Sequence, residues 1–315
     1  MAQQRRERGS LFERGRVDRA WVIAHRGDSS RAPENTLAAG WAACRAGADA
    51  WELDVQLTRD GVPVVIHDDS LRRTTNVAER FADDPRREAG YLVADFDWEE
   101  IRSLDAGSWF VAPQGGPRSA ADFGTLAALD PAARAEFGSG TVRVPTLDEA
   151  LRRTIDWDWL VNVELKSVPL RPAGLLEAVL RVIHETGAEE RVWLSSFDHT
   201  EMARAAGSGV VPTGVLTATP LHQPARYVRE LVGAAAYHPS VAAIGALSRR
   251  FQDRPEPGSL RAEELEQLRA AGVPVFVYTV NAVEPGGLAD ILADAGVRGV
   301  FTDRPAELAA RWGRF

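Results

Sequence analysis

Short runs rich in β-branched residues alternate along this chain with segments whose apolar residues recur every three to four positions. No other feature limits its possible folds so strongly. The runs are "WVIAH" (21–25), "AWELDV" (50–55), "PVVIH" (63–67), "WLVNVEL" (159–165), "VWLSSF" (192–197), "PTGVLT" (212–217), "VAAIGA" (241–246), "PVFVYTV" (274–280) and "RGVFTD" (298–303). Between them lie helical patterns such as "PAGLLEAVLRVIHETG" and "RAEELEQLRAAG", each closed by a glycine that can end a helix. Regular alternation of this kind implies βαβ units and a parallel sheet. Nine strands exceed a closed eight-stranded barrel by one, and "ELDVQLTRDGVPVVIHD" accounts for the excess. Its Asp60-Gly61 pair is a hairpin signal, so 63–67 reads as an antiparallel return rather than a barrel strand. The expectation is an α/β chain folded as a (β/α)8 TIM barrel.

The stretch from about Asp68 to Val144 has no clean periodicity and holds pieces such as "SWFVAPQGGPRS". It reads as a small insertion subdomain after strand 2, beside the barrel mouth. Residues 1–19, with Arg5, Arg6, Arg8, Arg14 and Arg16, read as a flexible basic lead-in before a barrel over 20–315. At 315 residues and 45% hydrophobic composition the chain can bury a full core. A net charge of −8 argues against nucleic acid or an anionic membrane surface as partner. No run reaches the roughly 18 apolar residues of a bilayer span, and the lead-in lacks the apolar core of a secretory signal. One cysteine, Cys44, excludes an intramolecular disulfide and a multi-cysteine metal site. A cytoplasmic protein is expected, without stable membrane insertion and of open oligomeric state.

In a barrel of this type, working residues sit at the C-terminal ends of strands. Collecting those positions yields His25 and Arg26, then Glu52 and Asp54, then Glu164 and Lys166. Alternation places Glu52 and Asp54 on one face of their strand, and Glu164 and Lys166 on one face of theirs. Three carboxylates at one mouth either rise in pKa or bind a cation, and an all-oxygen set suits Mg2+ or Ca2+. The alternative is a cluster neutralised by arginines. With a two-residue Asp60-Gly61 loop, facing positions sum to 121, which sets Asp54 opposite His67. Two histidines beside an acidic metal site fit general acid–base chemistry on a phosphate ester. Lys166 is the only lysine among 37 cationic residues. Three carboxylates and a dication leave one negative charge, which would repel a phosphodiester. Lys166 as a point charge and Arg26 as a fork reverse that balance. Phe197 is a candidate apolar wall, with core packing as its alternative.

These motifs, together with "AHRGDSSRAPENTLAA", "WELDVQLTRDGVPVVIHDDSLRRTTN", "LDAGSWF", "VPTLDEAL", "VELK", "SSFD", "VYTVN" and "GVFTDRP", resemble in order those of the glycerophosphodiester phosphodiesterase family, from about residue 21 to 308. The resemblance implies a barrel of the phosphoinositide-phospholipase-C-like phosphodiesterase type with an insertion after strand 2. It also implies metal-dependent hydrolysis of glycerophosphodiesters, small molecules of lipid and glycerol metabolism, to sn-glycerol 3-phosphate and an alcohol. Carried over by position, His25 and His67 are the implied acid–base pair. Glu52, Asp54 and Glu164 are the implied ligands of one divalent cation, Mg2+ or Ca2+, and Arg26 and Lys166 the implied phosphate holders. Glu34 and Asn35 of "PENT" are implied to support the site, or else to cap the following helix. Tyr278 stands where the family often has tryptophan, offering the glycerol a flat wall and a hydroxyl that would alter alcohol preference. A lysophospholipase D-like or other phospholipid phosphodiesterase is the rival enzyme. A non-catalytic phosphate-binding barrel is the other rival, and it would be expected to have lost one of these groups.

Overall fold

The computed structural model describes residues 11–13, 19–167, 174–245 and 261–314. Eight parallel strands form the barrel: β1 Trp21–His25, β2 Ala50–Leu57, β4 Val161–Leu165, β5 Val192–Ser196, β6 Thr213–Thr217, β7 Ala236–Pro239, β8 Phe276–Val277 and β9 Gly299–Thr302. Their order is β7-β6-β5-β4-β2-β1-β9-β8, and β3 (Pro63–Val65) pairs antiparallel with β2 outside that path. Parallel bridges from Tyr237 to Val275 and from Ser240 to Tyr278 nearly close the ring between β7 and β8. Each parallel strand is followed by a helical segment, as the alternation requires. The first is α1 (Leu37–Arg45), whose N-cap Thr36 accepts from Ala39 N. The helix after the insertion, α2 (Leu147–Asp156), starts with a Thr146–Glu149 capping box.

Pleat alternation sorts the strand residues into two environments. Val22, Ala24, Trp51, Leu53, Val55, Val161, Val163, Leu165 and Val300 face outward and share one buried cluster with the helices. Trp21, Ile23, Ala50, Trp193, Ala236, Phe276 and Phe301 face inward and fill the lower barrel. Trp21 lies 6.2 Å from Trp193 and 5.9 Å from Phe276, ring centre to centre. Phe12 comes in from below, 5.4 Å from Phe276, so Leu11 and Phe12 of the expected lead-in are packed against the barrel floor. The lead-in's arginines Arg5, Arg6, Arg8, Arg14 and Arg16 lie outside the described residues. Aromatics fill the bottom, and the charged inward side chains gather at the top.

Two expectations are corrected. The seventh strand is Ala236–Pro239, and residues 241–245 form a turn beyond it. "AYHP" has little intrinsic strand preference, but its pairing with β6, Leu216 against His238, overrides composition. The second correction concerns the hairpin. Register pairs Val55 with Val65 and Gln56 with Val64, so facing positions sum to 120. Gly61 alone of the two turn residues has a positive φ, 81°, and Thr58 N donates to Val62 O. That is a three-residue loop ending in a left-handed glycine, not a two-residue type I′ turn. Asp54 therefore faces Ile66, whose N–H donates to Asp54 O.

Between β3 and α2 the chain forms only short helical turns around cores of its own, one including Leu71, Val77, Tyr91, Phe96, Ile101 and Leu104. Among the described residues no helix is long and apolar enough to cross a membrane.

Candidate active site

The end of β1 turns sharply, and the turn sets the first two site residues. Arg26 and Gly27 both adopt left-handed backbone, φ 60° and 83°. A β-carbon on Gly27 would lie 2.5 Å from the Ala39 carbonyl carbon, so only glycine lets α1 approach this closely. The turn aims Arg26 N at Glu52 Oε2, 2.9 Å away.

Glu52 and Asp54 point inward from β2 and Glu164 from the neighbouring β4, where Asp54 and Glu164 are register partners. One oxygen from each of the three lies within 4.8 Å of the others. Glu52 Oε1 is buried with no hydrogen-bond partner among the described residues. Burial, with Asp54 and Glu164 beside it, pushes the Glu52 carboxyl well up. Glu164 is also pushed up by burial and Asp54, against the pull of Lys166. Burial acts the same way on Asp54, but Arg26, His67, Lys166 and the Asn35 amide outweigh it and hold that carboxyl low. The cluster thus keeps one firm anion and two that resist ionisation. An orphaned buried oxygen within a set of oxygen donors fits a hard divalent cation.

Positive groups surround this trio. Lys166 Nζ donates to Glu164 at 3.0 Å and lies 3.7 Å from Asp54. Arg26 Nη1 donates to Glu34 at 2.8 Å, and its Nε lies 3.4 Å from Asp54 without hydrogen-bond geometry. Asn35, itself left-handed at φ 58°, donates to Asp54 Oδ2 at 2.9 Å and accepts from Asp54 N. Thr36 takes the helix cap, so Glu34 and Asn35 are free to face the site instead.

Both predicted histidines reach the mouth. His25 lies with its side chain 14% exposed, and Nδ1 is 2.7 Å from Asp303 Oδ1. Burial and Arg26 push its pKa down, with Asp303 pulling the other way. His67 is 31% exposed, and its Nδ1 is 2.7 Å from Asp68 Oδ1. It arrives there by a route other than cross-strand pairing. β3 stops at Val65, and the Gln56 amide then holds the carbonyls of Ile66, His67 and Asp68, bending the chain toward the cluster. Phe197, 49% exposed, meets Tyr278 edge-on at 6.0 Å. The Tyr278 hydroxyl donates to Thr217 O at 2.9 Å, so it is engaged by backbone rather than offered to a ligand.

Sequence reasoning passed over several groups here. Asp303 follows β9 as His25 ends β1, and its place at a strand end within "FTDRP" was the available signal. Asn281 donates to Asp303 Oδ2 at 2.7 Å from the end of "VYTVN". Arg73 and Arg118 come from the insertion and both reach Glu34, at 2.7 Å each. Nothing in the aperiodic insertion marks them. A further histidine, His238, is on β7 and fully buried below the mouth, between Phe276 and Phe301.

Residues 25–307 match the model of the glycerophosphoryl diester phosphodiesterase family. The chain belongs to that family. It is 34% identical over 288 residues to a glycerophosphodiester phosphodiesterase of Caldanaerobacter subterraneus subsp. tengcongensis, covering 91% of this chain and 95% of that one. A glycerophosphodiester phosphodiesterase of Bacillus altitudinis is 31% identical, covering 90% and 94%. Among solved structures, an Oleispira antarctica phosphodiesterase in complex with the product sn-glycerol-3-phosphate superposes with a TM-score of 0.69 at 25% identity, covering 97% of this chain and 100% of that one. The chain is accordingly an enzyme, a phosphoric diester hydrolase on a TIM barrel.

Proposed function

We propose that this enzyme hydrolyses glycerophosphodiesters to sn-glycerol 3-phosphate and an alcohol, with His25 and His67 as its proton-transfer pair. The observation that carries the reading is the Glu52–Asp54–Glu164 oxygen cluster flanked by two imidazoles whose Nδ1 atoms are each held by an aspartate. Glu52, Asp54 and Glu164 would hold one divalent cation, Mg2+ or Ca2+. When bound, such an ion would offset most of the carboxylates' charge and draw charge from a phosphate oxygen. The relative crystallised with sn-glycerol-3-phosphate supports the choice of product.

The chain's own groups supply the rest. Lys166 and Arg26 place positive charge where a diester anion must approach. Phe197 and Tyr278 offer an apolar corner to the glycerol carbons. With Nδ1 occupied, each ring turns Nε2 toward the reacting atoms. One histidine accepts the proton of the attacking hydroxyl as its oxygen bonds to phosphorus. The bond from phosphorus to the alcohol oxygen breaks, and the other histidine protonates that oxygen. The attacking group is water, or the glycerol 2-hydroxyl through a cyclic phosphate that water then opens. His25, held neutral by burial and Arg26, suits the accepting role near neutral pH.

The test is release of glycerol 3-phosphate from glycerophosphocholine, glycerophosphoethanolamine and glycerophosphoinositol. EDTA should abolish it, and Mg2+ or Ca2+ should restore it. His25→Ala and His67→Ala should each lower turnover by about 10²- to 10⁴-fold. Wild-type turnover in both variants, or no release from any diester after metal is restored, refutes the reading.

A further inference from the structure

The two histidines are not held independently. From His25, Nδ1 meets Asp303 Oδ1 at 2.7 Å, and Arg118 Nη2 donates to that same oxygen at 2.7 Å. A second nitrogen of Arg118 donates to Asp303 Oδ2 at 3.2 Å, and its Nε donates to Glu34 Oε2 at 2.7 Å. From His67, Nδ1 meets Asp68 Oδ1 at 2.7 Å, and Arg73 donates to both Asp68 oxygens, at 2.6 and 2.8 Å. Arg73 also donates to both oxygens of Glu34, at 2.7 and 3.0 Å. The path is continuous: His25, Asp303, Arg118, Glu34, Arg73, Asp68, His67. Its two halves have the same construction, imidazole to aspartate to arginine, and they join at one carboxylate.

Glu34 is the right group for such a junction. Its side chain is 1% exposed, and although burial works against ionisation, Arg26, Arg73 and Arg118 hold it down at about 2. It therefore stays a charged acceptor of at least three guanidinium groups throughout the working pH range. Arginine is needed in both arms because only a planar fork can serve two carboxylates at once with fixed angles. A charged chain of this kind in a half-buried site has few alternative arrangements, since breaking one link takes a charge-assisted hydrogen bond from a buried carboxylate. Both arginines lie in the segment between β3 and α2, outside the barrel itself.

We infer that the insertion completes the catalytic apparatus: Arg73 and Arg118 are positioning residues that set the tautomer and aim of both histidines through Asp68 and Asp303, with Glu34 as their common strut. This rests on the assignment of His25 and His67 as the proton-transfer pair. Because one histidine protonates the leaving group and the other activates the nucleophile, severing the two arms should have different chemical signatures. The acid's arm matters only when the leaving alkoxide needs a proton. A nitrophenolate leaves as a stable anion and does not.

The experiment compares Arg73→Ala, Arg118→Ala, Arg118→Lys and Glu34→Gln with wild type on glycerophosphocholine and on glycerol 3-phosphate p-nitrophenyl ester. Each arginine variant should lose roughly 10- to 100-fold in kcat on glycerophosphocholine with KM changed far less. One arm's variant should keep near wild-type turnover of the nitrophenyl ester, while the other arm's loses on both substrates. Glu34→Gln, nearly isosteric, should lose on both substrates. In ¹⁵N spectra of metal-loaded enzyme it should shift both imidazoles away from the single Nδ1–H tautomer. Arg118→Lys guards against an unfolded alanine variant: keeping charge without the fork should not restore the rate. Equal losses on both substrates from both arms, wild-type rates in both arginine variants, or unchanged imidazole spectra in Glu34→Gln would each overturn the inference. If His25→Ala and His67→Ala are inactive while both arginine variants behave as wild type, this inference fails and the proposed function stands. Active histidine variants sink the proposed function itself.

Discussion

Replacing His238 with leucine should make the fold less sensitive to acid. His238 is fully buried inside the barrel, and neither ring nitrogen has a hydrogen-bond partner among the described residues. Burial alone lowers its pKa from the ordinary 6.5 to about 3, and no charged neighbour contributes. The folded ring is thus neutral at every pH above about 3, whereas the unfolded chain takes up a proton below 6.5. A group depressed in the folded state destabilises the fold as pH falls through that window and contributes nothing above it. Each pH unit is worth about 1.4 kcal/mol, so between pH 7.5 and pH 5 the penalty reaches about 2 kcal/mol. For a chain of this length that is about 3 °C in Tm. Acid also titrates the carboxylates, but they change equally in wild type and variant and cancel in the difference. The assay is urea unfolding of wild type and His238→Leu at both pH values, with His238→Met as a second filling of the same space. The variant's stability relative to wild type should rise by about 2 kcal/mol on going to pH 5. A difference that does not move with pH would refute the argument, because it would mean that His238 is charged or hydrogen-bonded when folded.

Two further outcomes follow from close contacts. A β-carbon on Gly214 would lie 2.5 Å from His238 Nε2, so Gly214→Ala should cost about 1–3 kcal/mol by denaturation, and adding His238→Ala should recover part of it. Asn35→Ala removes both hydrogen bonds between Asn35 and Asp54, and on the proposed function the affinity for a divalent cation, read by metal titration of activity, should fall about 10- to 100-fold. Unchanged affinity would mean that Asp54 is oriented by its strand alone.

The barrel and most of its mouth were legible because their causes are local. A pleated strand sends alternate side chains to opposite faces, so "WELD" and "VELK" already put Glu52, Asp54, Glu164 and Lys166 inward and Leu53 and Leu165 outward, whatever surrounds them. The seventh strand was misplaced because "VAAIGA" is the more apolar string, while "AYHP" is held by its neighbour β6. The expectation for His67 rested on a register that the hairpin does not have. One extra loop residue shifts every facing pair, and Gln56 rather than pairing bends the chain into place.

What composition and periodicity determined was the α/β alternation, the hairpin after the second strand, and which inward carboxylates meet at one end. His67 is held by its own neighbour Asp68, but the group that holds His25 and the arginines behind both aspartates were decided only in three dimensions. Asp303 lies 278 positions from His25, and Arg118 lies 84 from Glu34 and 185 from Asp303. Such partners follow no period, since an arginine reaching across a mouth needs only the right length and a carboxylate at its end. Closure of the barrel brings them together by joining the first strand to the last, and a folded insertion lays its arginines over the result.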